Sequence, residues 1–171
     1  LPGAMKYGFD DVRNVLERSS ARETAARVAA GAVALRFLQE FGIEVHSHVI
    51  SIGTIHADPP ETIDWDAVEE SPVRCADAAA AKKMTKEIDT AKNAGDTVGG
   101  IVEVLAENVP IGLGSHVSWD RKIDGQIAQA LMSINAVKAV SFGLGWDMAD
   151  RCGSEVQDVI EPVTDLEHPW Q

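Results

Sequence analysis

The sequence predicts a fold of mixed helix and sheet. Three observations support this. Stretches with helical apolar spacing alternate with runs rich in Ile and Val, and Gly and Pro punctuate the junctions. At 171 residues and 45% apolar, the chain is long enough for one domain with a real core. The order is helix–strand, long loop, helix–strand, helix–strand. That alternation alone suggests a parallel α/β sheet, but periodicity does not fix strand direction.

Residues 20–41 read as one helix. Ala25, Val28, Ala32 and Leu35 form a stripe that Ala29, Val33 and Phe37 broaden, a width that predicts burial on more than one side. Gly42 stops it. From Ile43 to Ile55 the alternation is that of a strand, with Val45, Ser47 and Val49 on one face and Glu44, His46 and His48 on the other. The two histidines have the spacing of a metal pair. A partly exposed sheet face explains them equally well, and with no third ligand nearby no metal site is assigned. Residues 56–73 hold Pro59, Pro60, Pro72 and an acidic run, and form a surface loop excursion.

A second helix is expected from Asp77 to Asn93, ending at Gly95, with Lys82, Lys83, Lys86 and Lys92 as a solvated face. Gly99-Gly100 opens a strand, Ile101 to Glu107. No GxGxxG or P-loop pattern follows, so a bulge or close backbone approach is preferred to a phosphate cradle. A Gly-rich turn, 109–118, leads to a third helix from about Asp120 and a last strand, Val137 to Phe142. His116, in that turn, is given a structural or interface role. Past Gly145, Glu155, Asp158, Glu161, Asp165 and Glu167 make an acidic tail without periodicity.

Composition narrows the function. No run approaches a membrane span, and no signal peptide precedes the first helix. Cys75 and Cys152, without CxxC or clustered His, read as two free thiols in the cytoplasm. A net charge of −12 argues against nucleic-acid binding and confines any phosphate site to a local basic pocket. Arg13, Arg18, Arg22 and Arg27 mark the place for one.

The run Arg18-Ser19-Ser20-Ala21-Arg22-Glu23-Thr24-Ala25 is the most informative part of the chain. Ser20 and Glu23 have capping-box spacing. A helix N-terminus presents unpaired N–H groups and partial positive charge, so it suits an anion. Arginines crowded there oppose the macrodipole, a cost that an anion would offset. The other reading is a capped helix with solvated arginines on an acidic scaffold.

This run, with Arg27-Val28-Ala29 after it, resembles the central signature of the chorismate synthases. Lys6-Tyr7-Gly8, Gly42-Ile43-Glu44-Val45, Ser51-Ile52-Gly53, Val73-Arg74-Cys75 and Gly95-Asp96-Thr97-Val98-Gly99-Gly100 resemble further blocks of that family. So do Val109 to His116, Trp119-Asp120-Arg121-Lys122 and Ala130 to Lys138. The blocks are collinear with the family over nearly the whole chain, and the ordered set is highly specific. Trp146 departs from it, standing where the family usually has Phe.

The resemblance implies an α+β fold, a layered sandwich of mainly antiparallel sheets and helices, with residues 1–171 a single-domain segment of it. It implies loss of phosphate from 5-enolpyruvylshikimate-3-phosphate to give chorismate, with reduced FMN as cofactor. Arg18, Ser19, Ser20, Asn135 and Ala136 would then contact FMN, and Ser20 and Arg22 the substrate. A cytoplasmic homo-oligomer, a tetramer, is expected, and some family members also carry an NAD(P)H-dependent flavin reductase activity. The family's histidines lie before the segment matched here and further ligand residues after it. The resemblance thus makes this chain the middle of a longer enzyme, inactive alone, with no catalytic residue of its own. The alternative is a non-catalytic flavin- or anion-binding module.

Overall fold

The computed structural model describes residues 1–159, so Glu161, Asp165 and Glu167 of the acidic tail lie outside the described residues. Two compact units divide the chain: Ala34–Val109, and Leu1–Val33 together with the residues from Pro110 onward. Each is taken by itself. Among the described residues no helix is long and apolar enough to cross a membrane.

The Ala34–Val109 unit is built on a three-stranded antiparallel sheet, ordered β2-β1-β3, from β1 (Glu44–Ile52), β2 (Ile55–His56) and β3 (Gly100–Glu107). Gly53, at φ 56°, reverses the chain between β1 and β2. β3 enters opposite the end of β1, pairing Gly100 with Ile52 and Glu107 with Glu44. The sheet is therefore antiparallel, as the α+β expectation requires, and not the parallel sheet that element alternation alone suggests.

At Gly100 the preference for close backbone approach holds. A Cβ there would fall well inside contact distance of the Ser51 carbonyl oxygen. The register also shifts between Val49 and Ser51 on the facing strand.

Helix α5 (Ala78–Asn93) packs on this sheet through Cys75, Ala80, Ala81 and Met84, with Val49, Ile52, Ile55, Ala57 and Val73 around them. It ends as expected at Gly95, whose φ is 70°. Asp77 caps its start, accepting from the N–H groups of Ala79 (2.8 Å) and Ala80 (3.0 Å), and also from Asp58 N–H at 3.3 Å. These bonds, Ala80's foremost, hold the Asp77 carboxyl below its ordinary range. A depressed folded-state value means the cap stabilises above the unfolded carboxyl's pKa and is lost as pH falls through the folded value. Asp77→Ala is expected to lower stability by about 1 kcal/mol at neutral pH. Urea unfolding of the variant and parent should converge as pH falls below the ordinary carboxylate range, and a pH-independent gap would rule out this origin.

The 56–73 excursion contains a helix that the sequence reading does not anticipate, α4 (Trp65–Glu70). Asp64 caps it, accepting from Asp66 N–H (3.1 Å) and Ala67 N–H (3.2 Å). Val68 is fully buried, and the Trp65 ring stacks on His46 at 4.4 Å and 9°. Arg74 fixes the far end, bonding Glu69 at 2.5 Å and the Ser47 carbonyl at 3.1 Å. Its guanidinium holds the Glu69 carboxyl below the usual range.

The other unit is largely helical. It contains α1 (Pro2–Tyr7), α2 (Arg13–Ser19), a 3₁₀ turn at Ala21–Glu23, the first part of α3 (Thr24–Gln39), a 3₁₀ turn at Trp119–Arg121, α6 (Ile123–Met132), a 3₁₀ segment at Gly145–Asp150 and α7 (Gly153–Val156). Three expectations are corrected here. The helix expected over 20–41 opens with the 3₁₀ turn and is α-helical over Thr24–Gln39, and it is preceded by an unanticipated helix, α2, which the extended conformation of Ser20 (φ −80°, ψ 151°) ends. No residue of α3 is buried in this chain, and Val28, Val33 and Phe37 are 72%, 72% and 63% exposed. The strand at Val137–Phe142 is irregular backbone, since this unit offers it no strand to pair with among the described residues.

Candidate functional site

The Arg-rich run sits at the α2–α3 junction. Ser20 caps the 3₁₀ turn, its Oγ accepting from Arg22 N–H at 3.4 Å. The reciprocal half of a capping box is absent, because the Glu23 carboxylate accepts from Arg27 Nε instead (3.0 Å). Arg18 lies in the last turn of α2 and favours that helix's negative end, so the conflict expected for it at a helix N-terminus does not arise.

Three of the four arginines marked by the sequence are balanced locally. Arg13 pairs with Asp11 at 2.6 Å, and this holds the Asp11 carboxyl below its ordinary range. Arg22 pairs with Glu17 at 3.5 Å and Arg27 with Glu23 at 3.0 Å. Among the described residues Arg18 has no such partner. The Arg22–Glu17 pair is solvent-exposed on both sides (68% and 64%), and pairs of that kind hold weakly. Arg22 is therefore available to a better anion.

The structure brings the two distant parts of the expected site together. Asn135 Nδ2 donates to the carbonyls of Ser20 (2.7 Å) and Ser19 (3.4 Å). Arg27 reaches Ser133, bonding its Oγ at 2.7 Å and its carbonyl at 3.4 Å. Between them the chain turns sharply after α6, and Ala136 takes φ 73°, a left-handed conformation that alanine rarely adopts. Asn135 thus spends its amide N–H groups holding the Ser19-Ser20 backbone, which leaves its oxygen as the group it can offer a ligand. The Arg27–Ser133 tie is not evident in the sequence, where Ser133 is one serine at a helix end.

The histidine pair of β1 divides its work. His48 is fully buried, its Nε2 lying 2.8 Å from Glu103 Oε2 on β3. His46 lies under Trp65, 3.3 Å from Glu44, and ligand atoms of Glu44, His46 and Glu107 fall within 4.8 Å of one another. That cluster excludes His48, so the two histidines do not act as the metal pair their spacing suggests; the neighbours of His46 in it are Glu44 and the cross-strand Glu107. His116 is exposed on its turn, and Trp146 is 81% exposed.

Arginine, hydroxyl and amide groups of two distant chain segments thus come together within one unit. The particular family is clear. The chorismate synthase family model matches residues 1–168, and the chain belongs to that family. A protein called chorismate synthase from Geobacillus sp. (strain WCH70) is 58% identical over 167 residues, covering 94% of this chain and 42% of the relative. One from Listeria monocytogenes serotype 4b (strain F2365) is 55% identical over 164 residues, with the same coverage. A crystal structure of chorismate synthase aligns with a TM-score of 0.86 at 47% identity, over 94% of this chain and 51% of that one. The chain spans less than half the length of these curated relatives.

Proposed function

We propose that the chain serves the chorismate synthase reaction, the 1,4-elimination of phosphate from 5-enolpyruvylshikimate-3-phosphate to give chorismate, with reduced FMN. The observation that carries this reading is the convergence of Arg18-Ser19-Ser20 with Asn135-Ala136 in a member of that family. These residues fit a flavin mononucleotide chemically, since they offer a guanidinium with no ion-pair partner among the described residues, two hydroxyls and an amide oxygen. When bound, reduced FMN supplies electron density to the elimination with no net redox change. The protein's own groups do the positioning. Arg22 and Ser20 take an anionic group of the substrate, and Asn135 sets the Ser19-Ser20 backbone against which both ligands lie.

The protein carrying this chain is a cytoplasmic homo-oligomer, a tetramer, on this reading, and acts on small molecules, not on nucleic acid or membranes. The largely exposed apolar surface of α3, with Val28, Val33 and Phe37 open to solvent, supports it, because so broad an apolar face is ordinarily buried in a larger body. Sedimentation of the full-length protein as a monomer at micromolar concentration would remove the oligomer from the proposal.

The deciding experiment is anaerobic turnover of 5-enolpyruvylshikimate-3-phosphate with reduced FMN, comparing the full-length protein with this 171-residue chain. Chorismate from the full-length protein and none from the chain is expected, since separated parts of a site fail steeply. Flavin binding without turnover in the full-length protein would favour the non-catalytic module. Turnover by the chain alone would make groups outside it dispensable and put His116 forward as the proton donor.

A further inference from the structure

Arg27 stands in the first turn of α3, and its guanidinium is held from two sides. Nε donates to both oxygens of the Glu23 carboxylate, at 3.1 and 3.0 Å. The other end of the fork crosses to the end of α6, where Nη1 donates to Ser133 Oγ at 2.7 Å and Nη2 to the Ser133 carbonyl at 3.4 Å. Both acceptors suit a cation. Ser133 is the C-terminal cap of α6, so its carbonyl is one of those a helix end leaves without an internal donor, at the negative pole of the helix. Its Oγ gives its own proton to the Ala130 carbonyl at 2.6 Å and therefore meets Arg27 through a lone pair.

The chain just past Ser133 gives this tie its purpose. Val137 N–H donates to the Ile134 carbonyl at 3.2 Å, which closes a four-residue turn with Asn135 and Ala136 at its centre. Ala136 alone in this turn has a positive φ, 73°. Turns of that pattern ordinarily take glycine at the third position, because a Cβ is strained there. Alanine keeps such a conformation only where its surroundings impose it. Two ties do so here, and both lead to the α2–α3 junction. Asn135 Nδ2 donates to the Ser20 and Ser19 carbonyls from within the turn, and Arg27 grips Ser133 immediately before it.

We propose that Arg27 is a positioning residue, acting through Ser133 to keep Ala136 left-handed and the Asn135 amide on the Ser19-Ser20 backbone. It needs no contact with a ligand, since both ends of its fork are already engaged. Glu23 orients the fork by fixing Nε, and the planar guanidinium then reaches Ser133 with two donors at once, which an ammonium cannot do. Without the tie the turn relaxes toward conformations that alanine prefers, and only a fraction of molecules presents Asn135 and Ala136 correctly. The effect on ligand binding rests on the flavin reading above, whereas the tie itself is open to a separate measurement.

The test is a fluorescence titration of the full-length protein with FMN, combined with amide hydrogen exchange at Val137. Arg27→Met is expected to weaken FMN by about tenfold, the loss produced when the competent turn falls to roughly a tenth of the population. When Ala136→Gly is also present, Arg27→Met should cost about threefold or less, because glycine takes a positive φ without the tie. Arg27→Lys should recover part of the affinity, and Ser133→Ala, a milder change that keeps the carbonyl acceptor, should cost about threefold. Val137 exchange should quicken about tenfold in Arg27→Met and return toward the parent rate once Ala136→Gly is added. An equal loss of FMN with and without Ala136→Gly would overturn the proposal and make Arg27 a direct ligand contact. Undiminished affinity in both Arg27→Met and Ser133→Ala would overturn it too, leaving an ordinary helix-end bond. Should the unsubstituted protein fail to bind FMN, the flavin reading falls and Val137 exchange alone decides the tie, an unchanged rate in Arg27→Met counting against it.

Discussion

In the full-length enzyme, Arg22→Ala is expected to lower turnover of 5-enolpyruvylshikimate-3-phosphate by roughly 10- to 100-fold, the equivalent of about 1.5–3 kcal/mol for a lost charge-assisted bond. The expectation follows from how lightly Arg22 is held. Its partner Glu17 lies at 3.5 Å and both are mostly in water, so exchanging Glu17 for a doubly charged phosphate or a carboxylate gives up little. Arg27 is not equivalent, being committed to Glu23 and Ser133 together. Arg22→Lys should recover only part of the loss, because an ammonium cannot reproduce the planar fork. Steady-state kinetics decide the matter. Wild-type kcat and KM in the alanine variant would reduce Arg22 to a surface cation whose salt bridge is its whole role.

What could be seen in advance divides along a physical line. Elements set by local rules were legible. Asp77 as a cap and Gly95 as a stop bracket α5, and β1 and β3 follow their β-branched runs. Gly100 also reads correctly, because two adjacent glycines before a strand imply close backbone approach. Elements set by long-range contact were not. Val137–Phe142 has strand composition, yet a strand exists only with a partner, and none reaches it in its unit among the described residues. α4 is too short to show periodicity and is held by its Asp64 cap and the burial of Val68.

The site shows the same division. The residues expected there, Arg18-Ser19-Ser20 and Asn135-Ala136, were named from the family resemblance, two short segments far apart in the chain. The hydrogen bonds that join them span 115 and 116 residues of chain, a separation that no local pattern encodes. Neither was the pairing of the arginines readable as a whole. Arg27–Glu23 has helical spacing, but Arg22–Glu17 crosses the Ser20 break from α2, a helix the sequence reading does not anticipate, to the helix it starts at residue 20.

His48→Ala is expected to lower the stability of this chain by about 2–4 kcal/mol, combining a buried cavity with a lost hydrogen bond. The ring is fully enclosed, bonded through Nε2 to Glu103 and met edge-on by Trp65 at 5.9 Å. Nδ1 is buried with no partner among the described residues, so the bond to Glu103 is the only hydrogen bond this imidazole makes among them. Glu103→Ala should therefore cost about 1–3 kcal/mol although Glu103 is 45% exposed, because it leaves a buried ring with no hydrogen bond at all. Once the ring is gone, removing Glu103 as well should cost little. The double variant is then expected to be less destabilised than the sum of the two by about 1 kcal/mol or more. Urea unfolding of the four proteins closes the cycle. Strict additivity would mean that Glu103 acts on the strand pair β1–β3 and not through His48. A His48→Ala loss below about 0.5 kcal/mol would show that the ring occupies its enclosure without supporting it.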